Sequence, residues 1–518
     1  MKIINEKRIK AKRRKINYIP LRYIFAGGMT VLELAIILGL VILLCILLPY
    51  SFFITNVIQL FCVLNIISSD YNPDYKVPWL VVVLVLPVIG FMLYFIFFSR
   101  RLKRKFVTRL VFLNDKGYEK DDSKLFEQLK AQDEVAFGQA KITCANGYAT
   151  LFTNTKQKYF SSGEEYFSNL ILDLKSAKQF IYLDYFIIKF GEFWETILNV
   201  LINKANDGVE VKLVYDDIGC MKTLPGNYCK FLKKYGIQAT TFSRLNGHAD
   251  NEFNNRNHRK IAIIDGFIGY TGGINIGDEY INKHKRFGHW KDSGIRLEGE
   301  AVWGLTKLFM LDYGINVKHL PKFSYNAYPE CSIQEKGYVL PLGDGPSPIY
   351  ERNVAKGLIQ AMLSSATKSA YITTPYLIID NDLCQSIEDA ALRGVNVKII
   401  VPHVPDKKLV FEMSKSYYKR FIKTGVKIYE YEPGFMHAKT YLVDDKYALV
   451  GTVNLDYRSL AHHFENGVWL YDCECIKDIK TDVESCLQKS IQVTSLMTKA
   501  TPIKRLFRAF LKFFAPLM

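Results

Sequence analysis

The sequence predicts an α/β protein in which N-terminal transmembrane helices precede two copies of one α/β sandwich domain. Three observations predict it. Long apolar stretches near the start are bracketed by basic clusters. Two later regions repeat the same alternation of amphipathic and apolar runs. Each repeat ends on the same spaced set of His, Lys, Asp, Gly and Asn.

The 518 residues carry a net charge of +17, which at first suggests a nucleic-acid binder. The charge is confined to short segments. Residues 1–28 hold nine Lys and Arg against Glu6, 99–109 hold six with no acid, and 499–518 hold five with none. The rest of the chain therefore nets −2, so the basicity belongs to three short segments and not to the protein as a whole. A disordered chain is excluded by 49% hydrophobic and 14% aromatic residues.

Between the first two basic runs, Val31–Leu48 has one charge near its start, Phe52–Ile67 is shorter and polar-spotted, and Val77–Phe98 is uncharged. The first and third are long enough to cross a bilayer at about 20 residues each. Basic clusters at both ends favour both ends being cytoplasmic, which requires an even number of crossings. One of the three stretches, or Val31–Ile67 taken together, is therefore expected not to make a crossing of its own. The predicted organisation is a basic cytoplasmic N-terminus (1–28), a transmembrane region (29–99), a basic linker (100–135), two α/β domains (136–330 and 331–498) and a basic amphipathic helix (499–518). The ten cysteines form no CxxC, and Cys473 and Cys475 lack a His at zinc-site spacing, so they read as reduced thiols in a cytoplasmic domain.

The duplication begins with LDLKSAKQFIYLDYFII then NDGVEVKLVYDD, answered by AMLSSATKSAYITTPYLII then LRGVNVKIIVPH. Each reads as helix, buried strand, helix, buried strand. It sharpens further on. From His258, Lys260 lies at +2, Asp265 at +7, Gly272 at +14 and Asn275 at +17; from His437, Lys439, Asp444, Gly451 and Asn454 occupy the same offsets. RKIAIID and AKTYLVD read as strands, so His and Lys two apart share a face. Asp265 and Asp444 have the opposite parity and are expected to hold local structure.

Two lysines converging on one point make an anion site suited to a phosphoryl group, and they repel a metal. Two histidines suit a two-step displacement, one attacking phosphorus and the other moving protons. Each needs a partner to fix its tautomer. Glu465 is the candidate for His437, in its own half, and Asp292 is the candidate for His258. At the C-terminus, Ile503, Leu506, Phe507, Phe510, Leu511 and Phe514 form an apolar arc roughly opposite Lys504, Arg505, Arg508 and Lys512. Such a helix either lies on an anionic membrane surface or docks on the domain, and the first is expected.

The duplicated HxKxxxxD, each copy followed by Gly and Asn, resembles the phospholipase D superfamily. The fuller pattern is similar to the bacterial cardiolipin synthases: the basic start, NPDYKVPWLVVVLVLPVIGFMLY, YDDIG at 215–219, NRNHRK, GGINIGDEY and WKDSGIRLEG. Thr452 stands where the family has Ser. The resemblance implies that His258, Lys260, Asp265, His437, Lys439 and Asp444 form the catalytic motifs, and that Asn275 and Asn454 bind the substrate phosphate. It implies a phosphatidyl group passed between two phosphatidylglycerol molecules through a phosphohistidine, with His258 the nucleophile, giving cardiolipin and glycerol. It implies no cofactor, no metal and no nucleic acid, with membrane phospholipids as partners at the cell membrane; nothing in the sequence sets an oligomeric state. Related alternatives are a phosphatidylserine synthase, a phospholipase or a nuclease, and a different class is an inactive lipid-binding scaffold.

Overall fold

The computed structural model describes residues 21–47, 51–98, 121–146, 149–244, 254–315, 317, 333–347 and 349–517. The basic runs at 1–20 and 99–109 lie outside the described residues, as does Cys331. The eight cysteines whose side chains are described are free.

The apolar stretches form α1 (Leu21–Leu47), α2 (Ser51–Ser68), α3 (Pro73–Val85) and α4 (Pro87–Leu93). Pro87 separates α3 from α4, because proline cannot continue a preceding helix but fits the first turn of the next. Cys62, Ile66, Trp79 and Val83 pack together, while Phe53, Phe61, Leu64 and Leu84 remain exposed. Among the described residues no helix is long and apolar enough to cross a membrane.

The duplication is visible as two sheets of identical plan. The first contains β1 (Thr155–Phe160), β2 (Phe180–Tyr185), β3 (Glu210–Asp216), β4 (Gln238–Phe242), β5 (Lys260–Ile264), β6 (Ile268–Gly272) and, after the short β7 (His289–Lys291), β8 (Gly294–Gly299). Its order is β1-β8-β6-β5-β2-β3-β4. The second half supplies β9 (Tyr338–Asp344), β10 (Ser369–Thr373), β11 (Leu377–Ile378), β12 (Asn396–Pro402), β13 (Lys427–Tyr431), β14 (Gly434–Met436), β15 (Thr440–Val443), β16 (Tyr447–Gly451), β17 (Leu455–Asp456), β18 (Glu465–Tyr471) and β19 (Ser490–Gln492). Its main sheet runs β9-β18-β16-β15-β10-β12-β13, with β19 added at the far edge. In each half the strands joined by helices pair in parallel and the hairpin strands pair antiparallel.

Burial explains the near-continuous apolar strands. All six residues of β2 are buried. Ile181 and Leu183 face the helices Gly163–Ser176 and Glu192–Asn206. Tyr182 faces the other way, into a core shared with the helix Val302–Gly314 and with the second half.

The domain boundary expected at residue 136 is displaced. The segment assigned to a linker forms the helix Ser123–Gln132, and Glu134–Asn146 follows it. Both pack on the second half. Trp469 donates to Gln139, and Tyr447 and Tyr471 donate to Asp133. Their apolar positions bury against that sheet's helix Val354–Ser365, a partner that lies more than 200 residues away in sequence.

Candidate active site

Two short backbone contacts knit the halves together, and each lies at a histidine. The amide of His258 donates to the carbonyl of Phe464 at 2.8 Å, and the Phe464 amide donates to Arg256 at 2.8 Å. The amides of His437 and Ala438 donate to the carbonyl of Lys291 at 2.7 and 3.1 Å, where β14 pairs with β7. The residue after Phe464 is Glu465, and the residue after Lys291 is Asp292. Each half therefore presents its carboxylate to the histidine of the other half. Glu465 meets His258 Nδ1 at 2.8 Å, and Asp292 meets His437 Nδ1 at 2.6 Å. This reverses the pairing expected from sequence, in which each carboxylate served the histidine of its own half.

The two carboxylates are equivalents under the duplication. Gly272 pairs with Gly294 and Gly451 with Gly467, so Asp292 and Glu465 each stand two residues before a matched glycine. Six extra residues in the first half hide this when positions are counted from the histidines, which puts Arg286 opposite Glu465. The surroundings differ. The Thr452 hydroxyl donates to Glu465, as does that of Ser459 at 2.6 Å. Where the second half has Thr452 the first has Gly273, whose missing side chain leaves room for Asp292: a Cβ there would fall 2.1 Å from its carboxylate.

His258 and Lys260 lie at the start of β5, and His437 and Lys439 just before β15, rather than within longer strands. All four are buried, and each lysine ammonium donates to the carbonyl of its own histidine. His258 and His437 line one cavity of about 650 Å³, together with Asn275 and Asn454. The Asn275 side chain accepts from the Ile187 amide at 3.0 Å and donates to Tyr280 at 2.8 Å; the Asn454 Oδ1 is buried and unpartnered. Trp290, Tyr280 and Phe435 surround the His437 ring, and Phe186 contacts that of His258.

Asp265 and Asp444 are not at the site, which corrects their place among the catalytic residues. Asp265 accepts from the amides of Lys178, Gln179 and Phe180 at 2.7–2.9 Å, and Asp444 accepts from those of Thr367, Lys368 and Ser369. Both sit at positive φ in the turn after the catalytic strand, tying that turn to the chain entering the neighbouring strand. Their strand parity anticipates this.

Burial pulls both imidazoles down to about 4, with the neighbouring lysines adding to the effect and the carboxylates opposing it. Burial brings Lys260 down to about 7, with repulsion from the Lys439 ammonium adding to it, and burial brings Lys439 down to about 8 against the pull of the nearby carboxylates. Burial opposes ionisation of Glu465 and Asp292, but the adjacent histidines hold both below the usual carboxylate range. At neutral pH the site thus presents two neutral imidazoles, with Nδ1 committed to a carboxylate and Nε2 left for chemistry.

Sequence reasoning missed the framework behind His258. Each side chain from Arg256 to Lys260 has a buried partner: Arg256 forks onto Asp216 of YDDIG, Asn257 onto Asp184, and Arg259 onto Asp312 at 2.9 Å. These partners lie on distant strands and helices, so no spacing announces them. It also missed His463, which lines the cavity with its ring centroid 5.5 Å from that of His258. His258, His463 and Glu465 are close enough to share a metal ion. They do not fit one well: both Glu465 oxygens are taken by hydroxyls and by His258, and Lys260 stands beside them.

Comparison with known proteins places this geometry in context. The family described as "Cardiolipin synthase, PLD-like domain" matches residues 170–286 and 359–487, and "Phospholipase D-nuclease N-terminal" matches 57–97. A cardiolipin synthase of Staphylococcus aureus is 35% identical over 477 residues, covering 88% of this chain and 92% of the relative. One from Halalkalibacterium halodurans is 34% identical over 436 residues, covering 83% and 86%. The solved phosphatidylserine synthase of Haemophilus influenzae superposes with a TM-score of 0.56 at 18% identity, over 74% of this chain and all of that one, so the fold is shared.

Proposed function

The chain belongs to the cardiolipin synthases of the phospholipase D superfamily, and we propose that its two histidines divide the synthesis of cardiolipin between them. The observation that carries this is the pair of buried histidines in one cavity, each with its Nδ1 on a carboxylate of the opposite half and a lysine alongside.

His258 Nε2 attacks the phosphorus of one phosphatidylglycerol. The bond from phosphorus to the glycerol oxygen breaks, and His437 gives that oxygen a proton. Glycerol leaves, and a phosphatidyl group remains on His258. The terminal hydroxyl of a second phosphatidylglycerol then attacks phosphorus and passes its proton to His437. The P–N bond breaks, and cardiolipin is released. Lys260 and Lys439 balance the charge on the phosphoryl oxygens. His437 is neutral in the free site, so it must gain a proton as the anionic donor arrives. Asp292 beside it favours that imidazolium.

The membrane setting belongs to the same reading. α1–α4 keep many apolar side chains exposed after packing together. The C-terminal helix Pro502–Phe514 supports it from the opposite end of the chain. Two of its basic residues tie it to the domain, Arg508 on Glu412 at 2.9 Å and Lys504 beside it at 3.4 Å, while Leu511 packs on the core. Ile503, Leu506 and Phe510 are 83%, 74% and 60% exposed. The helix both docks on the domain and presents an apolar ridge suited to a bilayer surface.

Incubating the detergent-purified protein with phosphatidylglycerol alone tests the reaction. Cardiolipin and glycerol in equal amounts are expected. Phosphatidic acid without cardiolipin would make the protein a hydrolase instead.

A further inference from the structure

A second pocket, of about 370 Å³, opens where α3, the second half and the C-terminal helix meet. α3 supplies Val77 and Pro78, and the C-terminal segment supplies Ala509, Phe513 and Pro516. Two features connect it to the catalytic cavity. Tyr457 lines both, and Ala515 and Pro516, neighbours in one tight turn, line the inner and the outer cavity respectively. A single ring and a single turn are therefore shared by the two spaces.

The polar groups of the outer pocket are mostly committed. Asp74 accepts from the Asn381 amide at 2.8 Å and from Tyr457 at 3.2 Å. Arg420 forks onto Glu388 at 2.7 Å. Lys512 differs: its ammonium lies 4.4 Å from the centroid of the Tyr417 ring, and no carboxylate among the described residues pairs with it. The pocket thus combines apolar walls with one cation left for an anion. Phe513 and Pro516 continue from the exposed ridge of Ile503, Leu506 and Phe510 on the same segment.

The size of the inner cavity gives the outer one a purpose. About 650 Å³ is the scale that encloses a compact small molecule, so the acyl chains of a diacyl lipid must leave it. We propose that the outer pocket is a phospholipid subsite, a lateral portal in which an anionic phospholipid sets its phosphate on Lys512 and its chains along Val77, Pro78 and Phe513. This rests on the phosphatidyl-transfer reading above and names where a lipid waits between the bilayer and the histidines.

The test uses the full-length His258→Ala protein in nanodiscs containing phosphatidylglycerol with a photoreactive group on one acyl chain. Crosslinks mapped by mass spectrometry are expected on α3 and on residues 509–516. Ala509→Trp, which fills the pocket, and Lys512→Glu, which reverses its charge, are each expected to cut that labelling by about tenfold. Excess unlabelled phosphatidylglycerol should displace the probe, whereas inorganic phosphate should not. Equal labelling by an uncharged diacylglycerol probe, undiminished labelling in the Lys512→Glu protein, or displacement by inorganic phosphate would each overturn the proposal. The unmutated protein making cardiolipin while the pocket stays unlabelled would sink this inference alone; no cardiolipin would sink the reading beneath it.

Discussion

Asp292 and Glu465 carry the histidines, and their removal should be felt at the opposite half. Asp292→Asn keeps a hydrogen-bond partner for His437 but removes the charge that favours its imidazolium. Glu465→Gln does the same to His258. Loss of such an orienting carboxylate is expected to lower kcat by about 10²- to 10⁴-fold, with little change in KM. Steady-state rates with phosphatidylglycerol in mixed micelles check this. The lysines show the cost of the site. Lys260 is pulled down to about 7 by burial, so the folded state binds its proton more weakly than the unfolded chain does. Below about pH 7 that penalty is present in full, and it fades as pH rises toward the ordinary lysine value. Lys260→Met should therefore abolish turnover while raising the melting temperature at pH 7, and the gain should shrink by pH 10. The imidazoles act in the same direction on the acid side. With folded values near 4, they destabilise the fold increasingly as pH falls below about 6.5. The neutral free site also predicts proton uptake when a phosphonate analogue of phosphatidylglycerol binds at pH 7, read by calorimetry in buffers of different ionisation enthalpy.

At the level of elements, the reversal of the carboxylates follows from two short strand contacts. Repeated residue types were legible because a duplication keeps them at fixed offsets. The same offsets fail at Asp292, since the first half carries six more residues between Asn275 and the carboxylate. The strand registers Gly272–Gly294 and Gly451–Gly467 restore the equivalence. Aspartate followed two residues later by glycine, and glutamate likewise, were the available signal. Which histidine each serves depends on pairing between halves, which one sequence does not encode locally. The boundary near residue 136 escaped for a related reason: the helices from 123 to 146 are amphipathic, and amphipathicity does not name a distant partner. Arg259 and Asp312, each 1% exposed, bind the catalytic loop to the helix Val302–Gly314. Asp312→Ala removes the carboxylate paired with a buried guanidinium and should destabilise the protein by about 3 kcal/mol, read by denaturant unfolding of the detergent-purified protein.

Over the whole molecule, the +17 charge resolves into three short basic segments, the last of which helps to dock the C-terminal helix. In the sequence the first two basic segments flank the apolar stretches, and in the third Arg508 and Lys504 reach Glu412 of the domain. The sequence made the charge segments and the apolar helices legible. It did not reveal that Arg508 and Lys504 dock the C-terminal helix on Glu412, because an amphipathic pattern does not name a distant partner. The central claim is that each half of this pseudo-symmetric molecule completes the catalytic histidine of the other. It is tested by measuring the burst of phosphatidyl-enzyme formed from a phosphatidyl donor whose leaving group, p-nitrophenolate, departs without a proton. Such a donor bypasses the acid histidine but not the nucleophile, so the His437→Ala burst should be restored and the His258→Ala burst should remain absent. The account predicts that Asp292→Asn behaves as His437→Ala does, and Glu465→Gln as a weakened His258→Ala. Rescue of the Glu465 variant together with His437→Ala, while the Asp292 variant stays slow, would contradict it.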